Sequence, residues 1–355
     1  MNATTERQRR RADDLHAEAL VVDFHCDAVL ATLPDSAFDT GSGQGRSLAA
    51  RSTEGHVDVP RLLEGGIDCQ VFSHFVEPIY NPMAPGRMLQ VLGFSLAEIE
   101  ASDHLELATC AAEIRRNRGE KISVLIGFEG GEALGGDLRR LRVFHRLGLR
   151  RLTLCWNNRN ELADGVGWQQ SGSGLTEFGS EVVRECEQLG ILVDVSHMTD
   201  RGFWDTLEVA EGPVIASHSN SRALCRSMRN LTDEMILALA EKGGVIGVNY
   251  VPFFLVELDF DRLRQGDVQE RSKAEEATVE TVLDHIDHMV KLTGSADHVG
   301  LGSDFDGVPT SVKGLEDTSK VPNLTRGLVA RGYSDGDIIK ILGSNFLRVI
   351  EQVCG

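Results

Sequence analysis

Lysine and arginine are in short supply here: 36 of them stand against 54 aspartates and glutamates, for a formal net charge of -18. Phosphate backbones are held by clustered basic side chains, so this balance argues against a nucleic-acid partner. The only basic run, Arg9 to Arg11 with Arg7 just before it, lies in the polar opening segment MNATTERQRRRADDLHAEAL. That segment lacks an apolar core of signal-peptide length, and no other stretch is apolar for long enough to span a bilayer; a cytoplasmic chain with no membrane contact is expected. Cysteine pairing is missing as well. The seven cysteines (Cys26, Cys69, Cys110, Cys155, Cys186, Cys225, Cys354) form no CxxC pair and leave one over, which suits reduced thiols better than a disulfide framework. Internal repeats, low-complexity tracts and linkers are absent too, so nothing divides the 355 residues, and one domain over 1–355 is expected. With 41% apolar content, such a chain can bury a large core without staples.

What is present is a series of strand-like apolar runs around Val21 to His25, Asp68 to Ser73, Ser123 to Glu129, Arg151 to Trp156, Ile191 to His197, Pro213 to His218, Gly244 to Asn249 and His298 to Asp304, eight in all. Amphipathic helical patterns lie between them, such as Leu138 to Leu147, Glu177 to Leu189 and Asp233 to Lys242. The last has Thr232 as N-cap, acids in its first turn and Gly243 as a stop. Near-continuous apolar strands alternating with helices imply parallel pairing with both faces covered. Eight such units predict an α/β fold of the (β/α)8 TIM-barrel type. An open doubly wound sheet is the alternative, but it offers a single crevice at a switch in strand order. The Gly/Ser-rich stretch from Asp35 to Thr53 and the Pro-rich stretch from Glu77 to Gly86 predict long loops near 35–55 and 77–87, at the end of the barrel where chemistry is done.

Five of the runs end in groups that a sheet interior does not accept unpartnered: His25 and Asp27 in ALVVDFHCD, Glu129 in ISVLIGFEGG, His197 in ILVDVSH, His218 in PVIASHS and Asp304 in HVGLGSDFDG. A closed ring makes these tips converge, which is the reason for preferring the barrel. Residues two apart on a strand face the same side, so His25 and Asp27 point to one ion. Neutral imidazoles together with carboxylates suit Zn²⁺. Six such groups exceed the three protein ligands usual for one catalytic zinc, and two ions bridged by a carboxylate would use them all. The remaining histidines lack matching partners: His285 and His288 fall on a helix, His16, His104 and His145 in helical or polar context, His56 in a loop, and His74 and His298 near strand ends.

The chain resembles the membrane (renal) dipeptidase family, peptidase family M19 of the amidohydrolase superfamily. The matching stretches are DFHCD (Asp23 to Asp27), GHVDVPRLLEGGIDCQVFS (Gly55 to Ser73), GFEGGEAL (Gly127 to Leu134), VDVSH (Val193 to His197), ASHSNSRALCRSMRNLTDE (Ala216 to Glu234), GSDFDGV (Gly302 to Val308) and ILGSNFLRV (Ile341 to Val349). The resemblance implies a barrel with two zinc ions per subunit that hydrolyses dipeptides, including those with a D-residue at the C-terminal position, and a homodimer. It implies that His25, Asp27 and Glu129 bind one zinc, that Glu129, His197 and His218 bind the other, and that Asp304 lies near the first. Asp304 then takes a proton from the attacking water and passes it to the leaving amine. Arg229, in SMRN, aligns with the arginine that holds the substrate's free carboxylate, a task for which a guanidinium fork is suited. Arg222 and Arg226 stand close enough in sequence to serve instead.

One position departs from the family. Where an LTH-type segment is typical after the fourth strand, this chain reads RLTLCWNNRNELADG and places Trp156, a substrate-pocket candidate, at the histidine. The family histidine is taken to stabilise the oxyanion, whereas an indole offers one N–H and no charge. Loss of such a contact costs about 3–4 kcal/mol of transition-state stabilisation unless another donor, from Asn157, Asn158 or Arg159, replaces it. Three functions are therefore carried forward: a zinc dipeptidase, a zinc-dependent hydrolase of another small amide such as an N-acyl amino acid or lactam, and a non-catalytic metal-binding accessory protein. Asp304 and a full ligand set argue against the last, since a structural metal needs neither a proton shuttle nor an open position.

Overall fold

Strand β1 (Val22–Cys26) is flanked in space by β2 (Cys69–Phe75) and by β8 (Val299–Leu301), so the two ends of the sequence meet at one strand. The computed structural model describes residues 5–34, 36 and 45–355; of the expected loop from Asp35 to Thr53, residues 35 and 37–44 lie outside the described residues. The other strands are β3 (Leu105–Leu107), β4 (Ile122–Glu129), β5 (Leu149–Thr153), β6 (Leu192–Asp194) and β7 (Ile246–Val248). They pair in the order β6-β5-β4-β2-β1-β8-β7, with β3 beside β4, and every strand pair is parallel. The architecture is thus an α/β fold, a curved parallel sheet surrounded by helices.

Two of the expected elements are corrected. The run from Pro213 to His218 is not a strand of its own: only Ile215 and Ala216 bridge, to Asp194 on one side and Ile246 on the other. The reason lies in where its N–H groups go. Pro213 has none, Ser217 donates to Asp194 Oδ1 (2.9 Å) and His218 to Ser196 Oγ (3.2 Å), so side chains end the ladder after Ala216. An unexpected strand, β3, forms beside β4, three residues with a charged centre that are too few to show a period. The second correction concerns the loop expected at 77–87, which is helical from Pro78 on: a 3₁₀ turn Pro78–Met83 runs into the helix Ala84–Ala101. Pro78 and Pro85 fall at the first two positions of their helices, where the missing N–H has no intrahelical partner to lose.

Elsewhere cap chemistry does what it predicts. Thr176 accepts from Gly179 N at the start of Glu177–Leu189, and Gly190 closes that helix in the left-handed conformation (φ 75°). Thr232 caps Asp233–Glu241 by accepting from Met235 N. Apolar side chains of the sheet (Val22, Phe24, Val71, Leu125, Leu192) bury against the C-terminal helix Asn345–Cys354, where Phe346 stacks on Phe24 at 3.9 Å. The opposite end of the same strands carries the polar groups.

Candidate metal centre

His25 lies in β1 and Asp27 just beyond it, Glu129 ends β4, His197 follows β6, His218 follows the bridged segment, and Asp304 follows β8. All six side chains predicted as ligands come together and all are buried. His197 and Asp304 hold left-handed backbone (φ 70° and 62°), a conformation that costs a non-glycine residue about 1–3 kcal/mol and recurs where function fixes a side chain. Asp304 N donates to the His25 carbonyl (3.1 Å) and Asp27 N to that of Phe305 (2.8 Å), which locks the two strand ends together. Gly307 makes room for them: a Cβ there would stand 2.4 Å from Asp27 Oδ2 and 2.5 Å from Asp304 Oδ1.

The hydrogen bonds fix where the imidazole lone pairs point. His197 Nδ1 donates to Asn157 Oδ1 (2.8 Å), which leaves Nε2 unprotonated. The Ser217 hydroxyl gives its one proton to Asp194 Oδ2 (2.6 Å), so His218 Nδ1 must donate to Ser217 Oγ (2.7 Å) and its Nε2 is also bare. These two Nε2 atoms face each other at 2.8 Å, with Glu129 Oε1 2.8 Å from the first and 3.6 Å from the second. Three lone pairs converging in a buried space repel unless a cation lies among them. His25 Nε2 is 3.3 Å from Asp27 Oδ2, 3.8 Å from Asp304 Oδ1 and 3.9 Å from Glu129 Oε1, and His25 Nε2 and Asp27 Oδ1 have no hydrogen-bond partner among the described residues. The donors fall into two overlapping groups, His25 with Glu129 and His218, and His25 with Asp27 and Asp304.

The electrostatics agree. Burial drives the pKa values of His197 and His218 well below the usual imidazole range, so both rings are neutral as metal ligands must be. Burial, reinforced by Glu129 and Asp304, pushes Asp27 well above the carboxylate range. So many buried acids do not all ionise without a nearby positive charge, and a divalent ion restores them. The nitrogen and oxygen donor set therefore fits a metal of the zinc type.

Of the three candidate arginines, Arg222 is spent on a bidentate pair with Asp200 (2.8 and 2.8 Å) and Arg226 is exposed. Arg229 is buried, and its Nη2 donates to the His218 carbonyl (3.1 Å). Its Nε has no hydrogen-bond partner among the described residues. It shares a cavity wall with His197, Ser219 and Asn230. Burial pulls its pKa below the usual guanidinium range, with Asp304 and Glu129 opposing. Trp156 packs at 5.1 Å from the Phe75 ring and 6.3 Å from His197. Of the residues considered as replacements for the family histidine, Asn157 Oδ1 is committed to His197, Asn158 is exposed, and Arg159 pairs with Asp164 (2.7 Å).

Four supporting residues carry no sequence signal strong enough to find them. Asn249 Nδ2 donates to Asp304 Oδ2 (2.8 Å), which leaves the other oxygen facing His25. Asn157 and Ser217 set the histidine tautomers, and Arg151 lies beneath His25 (2.9 Å). The NxxN look of WNNRN and the serine beside His218 are the only hints, and both are common in loops.

Comparison with known proteins completes the assignment. The family model for membrane dipeptidase (peptidase family M19) matches residues 9–354. Dipeptidase tcpJ of Claviceps purpurea is 34% identical over 311 residues, 84% of this chain and 69% of that protein. A metallopeptidase of Rhodobacter sphaeroides, crystallised with a phosphinate mimic of the dipeptide L-Ala-D-Ala, superposes with a TM-score of 0.81 at 31% identity, over 94% of this chain and 99% of that one. The probable dipeptidase PvdM of Pseudomonas aeruginosa, at 23% identity and a TM-score of 0.82 over 99% of both chains, shares the fold. With its strand-end donors, its buried Arg229 and these relatives, the chain belongs to the membrane dipeptidase family, peptidase family M19.

Proposed function

We propose that this protein is a binuclear zinc dipeptidase that cleaves the amide bond of dipeptides, including those whose C-terminal residue is D. The observation that carries the reading is the meeting of His197 Nε2, His218 Nε2 and Glu129 Oε1 around one point, with a buried guanidinium, its Nε without a partner among the described residues, on the wall of the adjoining cavity. His25, Asp27 and Glu129 would hold one zinc, and Glu129, His197 and His218 the other. Bound there, the ions supply Lewis-acid activation of water and of the scissile carbonyl. The phosphinate mimic bound by the Rhodobacter relative supports a small peptide substrate.

The chain's own residues do the rest. Arg229 offers its Nε–Nη2 edge to the substrate carboxylate and so measures the distance from the scissile bond to the C-terminus. Asp304, oriented by Asn249, accepts a proton from the attacking water on its free oxygen and delivers it to the amine as the C–N bond breaks. Trp156, its ring 6.3 Å from that of His197, closes the pocket against solvent. Residues 213–218 complete the ring between β6 and β7, so that residues 1–355 make one (β/α)8 barrel domain; the two bridges of Ile215 and Ala216 support this. The protein works as a cytoplasmic homodimer.

Trp156 also favours a second reading, a hydrolase of another small amide, because its pocket lacks the family histidine. The test is hydrolysis by the zinc-loaded protein of L-Xaa-L-Yaa and L-Xaa-D-Yaa dipeptides beside N-acyl amino acids and lactams. Cleavage confined to the dipeptides supports the first reading, and cleavage confined to the other amides replaces it with the second.

A further inference from the structure

Resting on the metal reading above, we infer that Arg151 makes the two ion sites unequal, so that the site with His197 and His218 takes its zinc first and tightly and the site with His25 and Asp27 takes the second weakly. Arg151, on β5, is fully buried. It fits because β4 has a glycine opposite: a Cβ at Gly127 would lie 2.4 Å from Arg151 Nε. Its Nη1 reaches His25 Nδ1 (2.9 Å), Ser217 Oγ (2.9 Å) and Asp194 Oδ2 (3.1 Å), and its Nη2 reaches Ser73 Oγ (2.8 Å).

A guanidinium has only donors, so His25 Nδ1 is the acceptor in this contact and its lone pair points away from the carboxylates. The ring proton sits on Nε2, the atom that faces Asp27, Asp304 and Glu129. His197 and His218 have the reverse arrangement, with Nδ1 donating and Nε2 bare. Metal-bound histidines normally donate the far N–H to an oxygen, which orients the ring and strengthens the ligand. At His25 a cation occupies that place. To ligate through Nε2 the ring must switch tautomer, and then an N–H of the ring meets an N–H of Arg151 across 2.9 Å, too close for a water between them. Asp194 does not cancel the effect, because its oxygens are shared with Thr153 Oγ1 (2.6 Å), Ser217 Oγ (2.6 Å), Ser196 N (3.0 Å) and Ser217 N (2.9 Å) as well as Arg151. One network thus touches a histidine of each site with opposite polarity: through the Ser217 hydroxyl it prepares His218, and directly it opposes His25.

The experiment is a zinc titration of metal-free protein against a chromophoric chelator, for the wild type, Arg151→Gln, Arg151→Gln with Asp194→Asn, and His25→Gln. Outer partners of metal-bound histidines shift affinity about ten- to hundredfold, which sets the expected gap between the two wild-type steps. A glutamine at position 151 can accept from His25 Nδ1–H, so the second step should tighten toward the first while the first stays put, and an unmoved first step also reports an intact fold. In the double variant the buried pair is neutral on both sides, and the same narrowing is expected. His25→Gln should lose the weak step and keep the tight one. Two equal steps in the wild type, an unchanged gap in both Arg151 variants, or loss of the tight step in His25→Gln overturns the inference while leaving a binuclear centre standing. A wild type that binds no zinc at all overturns the metal reading beneath it.

Discussion

Replacing Arg229 by glutamine isolates what the buried guanidinium does. Its side chain is desolvated, it spends one N–H on the His218 carbonyl, and its Nε has no partner among the described residues. A carboxylate docking on the Nε–Nη2 edge would make two charge-assisted hydrogen bonds to a buried guanidinium. Charge-assisted bonds contribute about 1.5–3 kcal/mol each, and part of that is already lost as the carboxylate leaves water, so the pair is expected to contribute about 2–4 kcal/mol. That corresponds to a fall in kcat/KM of roughly 30- to 700-fold for Arg229→Gln on a dipeptide acid. The assay is a double-mutant cycle in which one mutation is on the substrate: wild type and Arg229→Gln, each with a dipeptide and with its C-terminal amide. Amidation should cost the wild type about as much as the arginine substitution does, and should cost the variant almost nothing further. If the two losses simply add, the arginine and the carboxylate do not meet, and the length-measuring role is wrong.

Other outcomes follow from single contacts. Asn157→Leu removes the acceptor that fixes His197, and zinc affinity should drop about ten- to hundredfold in a chelator competition; an unchanged affinity removes Asn157 from the centre. Asp304→Asn should lower kcat about 10²- to 10⁴-fold with zinc content retained, and full turnover on the true substrate would end its proton-transfer role. Gly307→Ala drives a methyl toward Asp27 and Asp304 and should release zinc, as elemental analysis would show. Burial holds His74 and His285 at pKa values of about 4, against 6.5 when unfolded. Between those values the unfolded chain binds more protons, so stability is complete above about pH 6.5 and is lost as pH falls toward 4, by about 3 kcal/mol per histidine. Thermal melts from pH 7 to pH 4 should slope downward, and less steeply in His74→Gln; a flat profile refutes the neutral-core assignment.

The strand tips were legible because a histidine or acid at the end of an apolar run is chemically out of place, and Asp27, Glu129 and Asp304 announce themselves in that way. The helix Asp233–Glu241 was legible for an equally local reason, its cap and its stop. What stayed hidden depends on distance. Nothing in PVIASHS says that the N–H groups of Ser217 and His218 will be drawn to Asp194 and Ser196, and so a six-residue strand was expected where two residues bridge. Prolines 78, 82 and 85 read as loop signals because they punctuate chains, yet two of them open helices. Arg151 looked like one more residue of a strand, since its importance lies in Gly127 across the ladder and His25 across the sheet.

The pairing of β1 with β8, Asp23 against Leu301, has a temporal side. Protein synthesis runs from the N-terminal side, so His25 and Asp27 leave the ribosome long before Asp304. Until β8 emerges, the outer edge of β1 has no partner, and the left-handed turn that aims Asp304 does not exist. Completion of the ion site therefore waits for β8, and a chain interrupted before residue 304 carries histidines that can scavenge a metal but no complete site to hold two. Loading of both ions reports that translation has passed residue 304.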